Sequence, residues 1–69
     1  MDISTILKNL RKERNKTQRE VAKAIGTTER SYQRYEYGTR EPKLDVIRKL
    51  ALYYNVSADF LLGIEMTNK

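Results

Sequence analysis

The sequence predicts an all-α fold, a compact domain of five short helices around one small core. Three observations carry this expectation. Apolar residues recur at three- and four-residue spacing along most of the 69 residues. Helix-capping residues precede these stretches, and a glycine or asparagine follows them. No segment shows the apolar–polar alternation of a strand, and no repeat, low-complexity run or flexible linker appears.

The first helix is expected over about residues 2–13, where Ile3, Ile6, Leu7 and Leu10 form one apolar stripe and Lys8, Asn9, Arg11 and Lys12 lie between them. Asp2 is placed to cap it or to oppose its dipole, and Arg14–Asn15–Lys16 is a polar connector. Thr17-Gln18-Arg19-Glu20 has the spacing of a capping box, and the helix it starts runs to Gly26. Thr28 caps a third helix, with Glu29 in its first turn and with Tyr32 and Tyr35 sharing a face. Gly38 ends that helix, and the chain through Pro42 is a loop, because proline disfavours a helical residue before it. The fourth helix carries Leu44, Ile47, Leu50 and Ala51, with Tyr53 and Tyr54 beside these core residues, and Asn55 closes it. Ser57 caps a short fifth helix bearing Phe60 and Leu61, ended by Gly63. Residues 1–64 are therefore expected to form one domain, and 65–69 a polar tail.

The second and third helices read as a helix-turn-helix. Val21, Ala22, Ile25, Tyr32 and Tyr35 face inward; Ala22 lets two backbones approach, and Gly26 suits a left-handed corner. The outer side of the third helix then carries Thr28, Glu29, Arg30, Ser31 and Arg34, a set suited to base edges. Arg30 and Arg34, four apart, offer guanidinium forks to guanine, or else pair with Glu29 or Glu36. Glu29 either accepts from cytosine N4 or simply sits well at a helix start. Thr28 is equally explained as a cap. Thr17 and Gln18, on an exposed first turn, suit phosphate contact, and the Tyr37 hydroxyl is placed to reach DNA. Stacking of single-stranded bases by the five tyrosines is the weaker reading, because most of them fall at inward positions.

The charge is uneven. Residues 1–40 hold ten Lys/Arg and five Asp/Glu, whereas residues 41–69 hold four of each, so the whole +5 excess lies in the half carrying the motif. A localised basic excess is the footprint of phosphate neutralisation. Cysteine and histidine are absent, which removes disulfides, Cys/His metal sites and the side chains most used in acid–base and nucleophilic chemistry. No cofactor, metal, small-molecule ligand or enzymatic activity is expected. No apolar run approaches the roughly 18 residues of a membrane span, and no secretory signal is read at the start; a cytoplasmic protein is the expectation.

Thr17–Ala22, then Ile25-Gly26-Thr27-Thr28, Tyr35-Glu36-Tyr37-Gly38, Pro42, Asn55-Val56-Ser57 and Phe60-Leu61-Leu62 together resemble the Cro and repressor helix-turn-helix family of phages and bacteria, over about residues 3–63. The resemblance implies a lambda-repressor-like domain. It implies that Gln18 bonds a phosphate and buttresses the recognition helix, and that residues 28–31 and 34 face the major groove. Arg11 and Glu36 match a family pair in which a first-helix arginine is held by the glutamate ending the third helix, with a possible second contact from Arg11 to phosphate. Thr39, Arg40 and Lys43 lie in the loop that commonly grips the DNA backbone. Two features depart from the family pattern: tyrosines at 32 and 35, where many relatives have Ile, Val, Leu or Trp, and the acid Glu29 in the reading face.

The expected function is sequence-specific recognition of double-stranded DNA, by a transcriptional regulator of repressor type that binds a pseudo-palindromic operator as a homodimer. Val56, Ala58 and Ile64, in the charge-balanced half, are candidates for self-association. An antitoxin-like or adaptor module that uses the same fold to hold a protein partner is the alternative. The chain is read either as a complete Cro-like protein or as the DNA-binding domain of a longer regulator.

Overall fold

The computed structural model describes residues 2–64. Its helices are α1 (Ile3–Glu13), α2 (Gln18–Ala24), α3 (Glu29–Tyr37), α4 (Leu44–Tyr54) and α5 (Ala58–Leu61), with no strand among the described residues. The tail expected at 65–69 lies outside the described residues.

Each helix starts and stops where local chemistry requires. The Asp2 carboxylate accepts from the Thr5 N–H, Thr28 Oγ1 from the Ser31 N–H and Ser57 Oγ from the Phe60 N–H, at 3.0–3.1 Å. At α2 the capping box closes from both sides: Thr17 Oγ1 accepts from the Glu20 N–H at 3.0 Å, and Glu20 Oε1 accepts from the Thr17 N–H at 2.8 Å. These bonds satisfy amides that a helix start leaves orphaned. Only α4 begins without a side-chain cap. At the other ends Asn15, Gly26, Gly38, Asn55 and Gly63 all adopt positive φ. The next N–H then turns back to a carbonyl five residues earlier, as from Lys16 to Arg11 at 3.1 Å and from Thr27 to Ala22 at 2.9 Å.

The core forms where the helix stripes meet. α3 packs on α1 and α2, while α5 packs on α4 and α1. Leu7, Val21, Tyr32, Leu50, Tyr54 and Leu61 are fully buried, and Ala22 lies at the α2–α3 crossing with almost no exposed surface. Leu44 departs from the expected stripe: it is 68% exposed. It is the first residue of α4, and the buried stripe begins one turn later with Ile47, Leu50 and Tyr54. Phe60 is partly exposed beside the buried Leu61, and Tyr53 is half-buried.

The buried tyrosines are accommodated as packed rings. The Tyr32 and Tyr35 rings meet edge to face at 6.4 Å, and the Tyr53 and Tyr54 rings at 5.0 Å. The Arg14 guanidinium lies 5.8 Å from the Tyr54 ring centre. The Tyr32 and Tyr54 hydroxyls are buried without a hydrogen bond of acceptable geometry. Burial first, and the nearby Glu36 carboxylate in addition, push both phenols above their ordinary range.

Candidate nucleic-acid interface

The outer face of α3 is set by what its inner face buries. Tyr32, Tyr35 and Glu36 are buried, so at about 100° per residue Arg30, Arg34 and Tyr37 lie on the opposite side. All three are exposed. Among the described residues neither arginine makes an ion pair, because the acids considered as partners are engaged elsewhere.

Glu36 pairs with Arg11. Arg11 Nε donates to Glu36 Oε2 at 2.6 Å and Nη2 donates to Oε1 at 3.1 Å, a two-pronged contact, while Nη1 donates to the Lys16 carbonyl at 3.0 Å. The side chains are 15% and 1% exposed, respectively. Burial alone would raise the Glu36 carboxyl, but the hydrogen bonds from Arg11, and then the nearby Tyr32 hydroxyl and the bond from Gln18, outweigh it and hold the group below the ordinary carboxylate range. The Arg11 guanidinium is raised in turn, chiefly by its bond to Glu36. The expected pair is therefore present, and it ties α1 to the end of α3.

The pair continues into a chain of side chains toward the outer face of α3. Gln18 Nε2 donates to Glu36 Oε1 at 3.2 Å; Gln33 Nε2 donates to Gln18 Oε1 at 3.1 Å and, more weakly, to Glu29 Oε2 at 3.5 Å. Glu29 Oε1 lies 3.6 Å from Arg19 Nε. Gln18 thus joins the start of α2 to the end of α3, the buttressing contact that the family resemblance implied. Glu29 is half-buried and turned toward Arg19 and Gln33, so its carboxylate is already partnered in the free chain. Gln33 and Arg19 were absent from the candidates read in the sequence. Gln33 lies four residues after Glu29, and that spacing was the available clue; its contact with Gln18 spans 15 residues and depends on the helix crossing.

The remaining candidates fall around this face. Thr17 and Thr28 are committed to caps through Oγ1, and Thr28 also donates to Ser31 Oγ at 3.0 Å. In the α3–α4 loop, Thr39, Arg40 and Lys43 are exposed, and Thr39 Oγ1 lies 3.4 Å from the Arg34 carbonyl. Arg40 borders a small cleft with Asp2, Ser4 and Gly38, which sets this loop beside the start of α1. Among the self-association candidates, Val56 and Ala58 are partly spent on the core, whereas Ile64 is exposed.

Two crossed helices, a left-handed glycine corner and an outward polar face on the second helix define a helix-turn-helix protein. A family model described as helix-turn-helix matches residues 7–61, and the chain belongs to that family. It is similar to a transcriptional repressor, RstR of cryptic phage CTXphi from Vibrio cholerae, with 42% identity over 94% of this chain and 59% of the relative. It is also similar to the transcriptional regulator ImmR of Bacillus subtilis, at 35% identity over 100% of this chain and 54% of the relative. The chain thus spans a little over half the length of these curated relatives. Among solved structures, the P22 c2 repressor in complex with a synthetic operator superposes with a TM-score of 0.88 at 20% identity, covering 94% of this chain and 98% of the other. A transcriptional regulator from Listeria innocua superposes at 0.87 and 24% identity, covering 99% of this chain and 64% of the other. These two likenesses bear on the fold. No helix among the described residues is long and apolar enough to cross a membrane.

Proposed function

We propose that this chain is a cytoplasmic, sequence-specific DNA-binding repressor that inserts α3 into the major groove of double-stranded DNA. The observation that carries the reading is the state of Arg30 and Arg34: both are exposed and free of ion pairs among the described residues, on a helix braced from behind by Gln18 and Arg11 through their bonds to Glu36. A guanidinium already on a fixed helix meets the paired O6 and N7 acceptors of guanine at low entropic cost. Thr28 and Ser31 border that face, with Glu29 at its edge beside the seam with α2.

Phosphate contacts come from around it. Gln18 retains a second amide hydrogen beyond the bond to Glu36, and Thr17, Tyr37, Thr39, Arg40 and Lys43 ring the α3 face and the adjoining loop. Arg11 reaches phosphate only through hydrogens left over from its bonds to Glu36 and Lys16. The naming of similar proteins as repressors supports the regulatory role. Two copies on a two-fold site, half-sites about one helical turn apart, follow from this manner of docking, with Ile64 as the exposed member of the candidate dimer face.

Random-site selection followed by footprinting tests the reading. An enriched inverted repeat, protected in the major groove, is the expected outcome. Recovery of no enriched site, with retained binding to a protein partner, would replace it with the adaptor reading.

A further inference from the structure

We propose that Gln33 is a specificity-determining residue, held as a hydrogen-bond acceptor in the groove by the chain of contacts Glu36–Gln18–Gln33, so that it reads the exocyclic amino group of adenine or cytosine. The inference rests on the DNA-binding reading above and adds a residue and a base chemistry to it.

An amide side chain can present either its oxygen or its NH2 in a given direction, and the partners decide which. Here the decision propagates from one end. The Glu36 carboxylate, held by Arg11, only accepts, so Gln18 must turn Nε2 toward it, at 3.2 Å. Gln18 Oε1 therefore faces the other way, toward Gln33. Gln33 must then turn its own Nε2 inward, where the Glu29 carboxylate, also acceptor-only, reinforces the same orientation at 3.5 Å. Two acceptors converge on one NH2, and a flip of Gln33 would set oxygen against oxygen at both.

The consequence is an outward Gln33 Oε1. It accepts no hydrogen bond from the described residues, and it is not among the buried unpartnered atoms, so on the half-buried Gln33 it keeps some contact with solvent. Gln33 lies about 60° around α3 from Arg30, at the seam with the first turn of α2. An acceptor there matches adenine N6 or cytosine N4, the major-groove amino donors, and opposes the O6 and O4 acceptors of guanine and thymine. An unanchored glutamine offers oxygen and NH2 together and suits adenine through N6 and N7; the anchored one offers the oxygen alone.

The test is random-site selection with the wild-type chain, Gln33→Ala, Gln33→Lys and Gln18→Ala, each checked by circular dichroism for native helicity. The wild type should enrich adenine or cytosine at one position per half-site, and the enriched base tells which amino group is read. Gln33→Ala should lose that preference, by roughly 2- to 12-fold, the worth of a single neutral hydrogen bond, and leave the other positions unchanged. Gln33→Lys, a donor only, should move the preference to guanine or thymine at the same position. Gln18→Ala releases the amide and should relax that position most, whereas loss of a merely structural brace would weaken all positions of the half-site together. Unchanged selection in Gln33→Ala, or a Gln33-dependent preference for guanine or thymine in the wild type, would overturn the proposal while leaving the DNA-binding reading intact. Failure of the wild type to enrich any site would overturn both.

Discussion

Glu36 is a carboxylate with 1% of its side chain exposed, and Arg11 answers it with two hydrogen bonds. Removing either partner leaves the other charge buried and uncompensated, so Arg11→Ala and Glu36→Ala should each cost about 3–5 kcal/mol in urea denaturation, and the double variant less than the sum. Losses below about 0.5 kcal/mol for both would show that the pair is ordinary surface charge. The same residue contributes to the acid limb of stability. Its folded pKa lies below the unfolded value of roughly 4.3, so the unfolded state binds more protons in that range. The contribution is present above the unfolded pKa and is lost as pH falls through the folded one. Stability measured from pH 7 downward should therefore fall below about pH 4, and less steeply in Glu36→Gln. At Tyr54 the expectation is reversed. Its hydroxyl is buried and unbonded, so Tyr54→Phe should leave stability unchanged or raise it by up to ~1 kcal/mol; a loss larger than that would mean the hydroxyl is satisfied in solution.

Helix ends and turns are the most local features of the molecule, and the most legible in its sequence. Thr17 and Glu20, Thr28 and Ser31, and Ser57 and Phe60 each interact across three residues, so spacing alone identifies them. Gly26 is equally local. Its φ is +77°, and an added Cβ would meet nothing within 4 Å, so Gly26→Ala should cost only the left-handed penalty of about 1–2 kcal/mol. Thr28→Ala should cost about 1 kcal/mol as a lost cap. Thermal unfolding checks both, at roughly 4–8 °C per kcal/mol for a domain of this size. Contacts between elements were much less legible. Periodicity assigns Leu44 to the α4 stripe, yet the neighbouring helices do not cover the first turn, and it stays exposed. Arg11 and Glu36, 25 residues apart, were paired through family resemblance and not through any local pattern. Gln33 was missed, and Glu29 was read as a groove contact, a helix-start acid or a partner for Arg30, because the helix crossing that joins Gln33 and Glu29 to Gln18 and Arg19 leaves no mark in sequence spacing.

At the scale of the whole molecule, charge and architecture divide the chain in the same way. The basic excess lies in residues 1–40, which hold α1, the helix-turn-helix and the start of the loop that carries Arg40. The balanced remainder holds α4 and α5, whose Ile47, Leu50, Tyr54 and Leu61 complete the core. Binding to any duplex should therefore weaken steeply with salt, with a log–log slope near −0.9 per phosphate neutralised, whereas discrimination between duplexes should depend on α3. The measurement that separates these contributions is a salt-dependent anisotropy titration of the selected duplex against a scrambled one, using wild type, Arg30→Ala and Arg34→Ala. At least one variant should lose about 1–3 kcal/mol of preference for the selected site while retaining most of its affinity for the scrambled duplex. Wild-type preference in both variants would contradict the assignment of α3 as the reading helix.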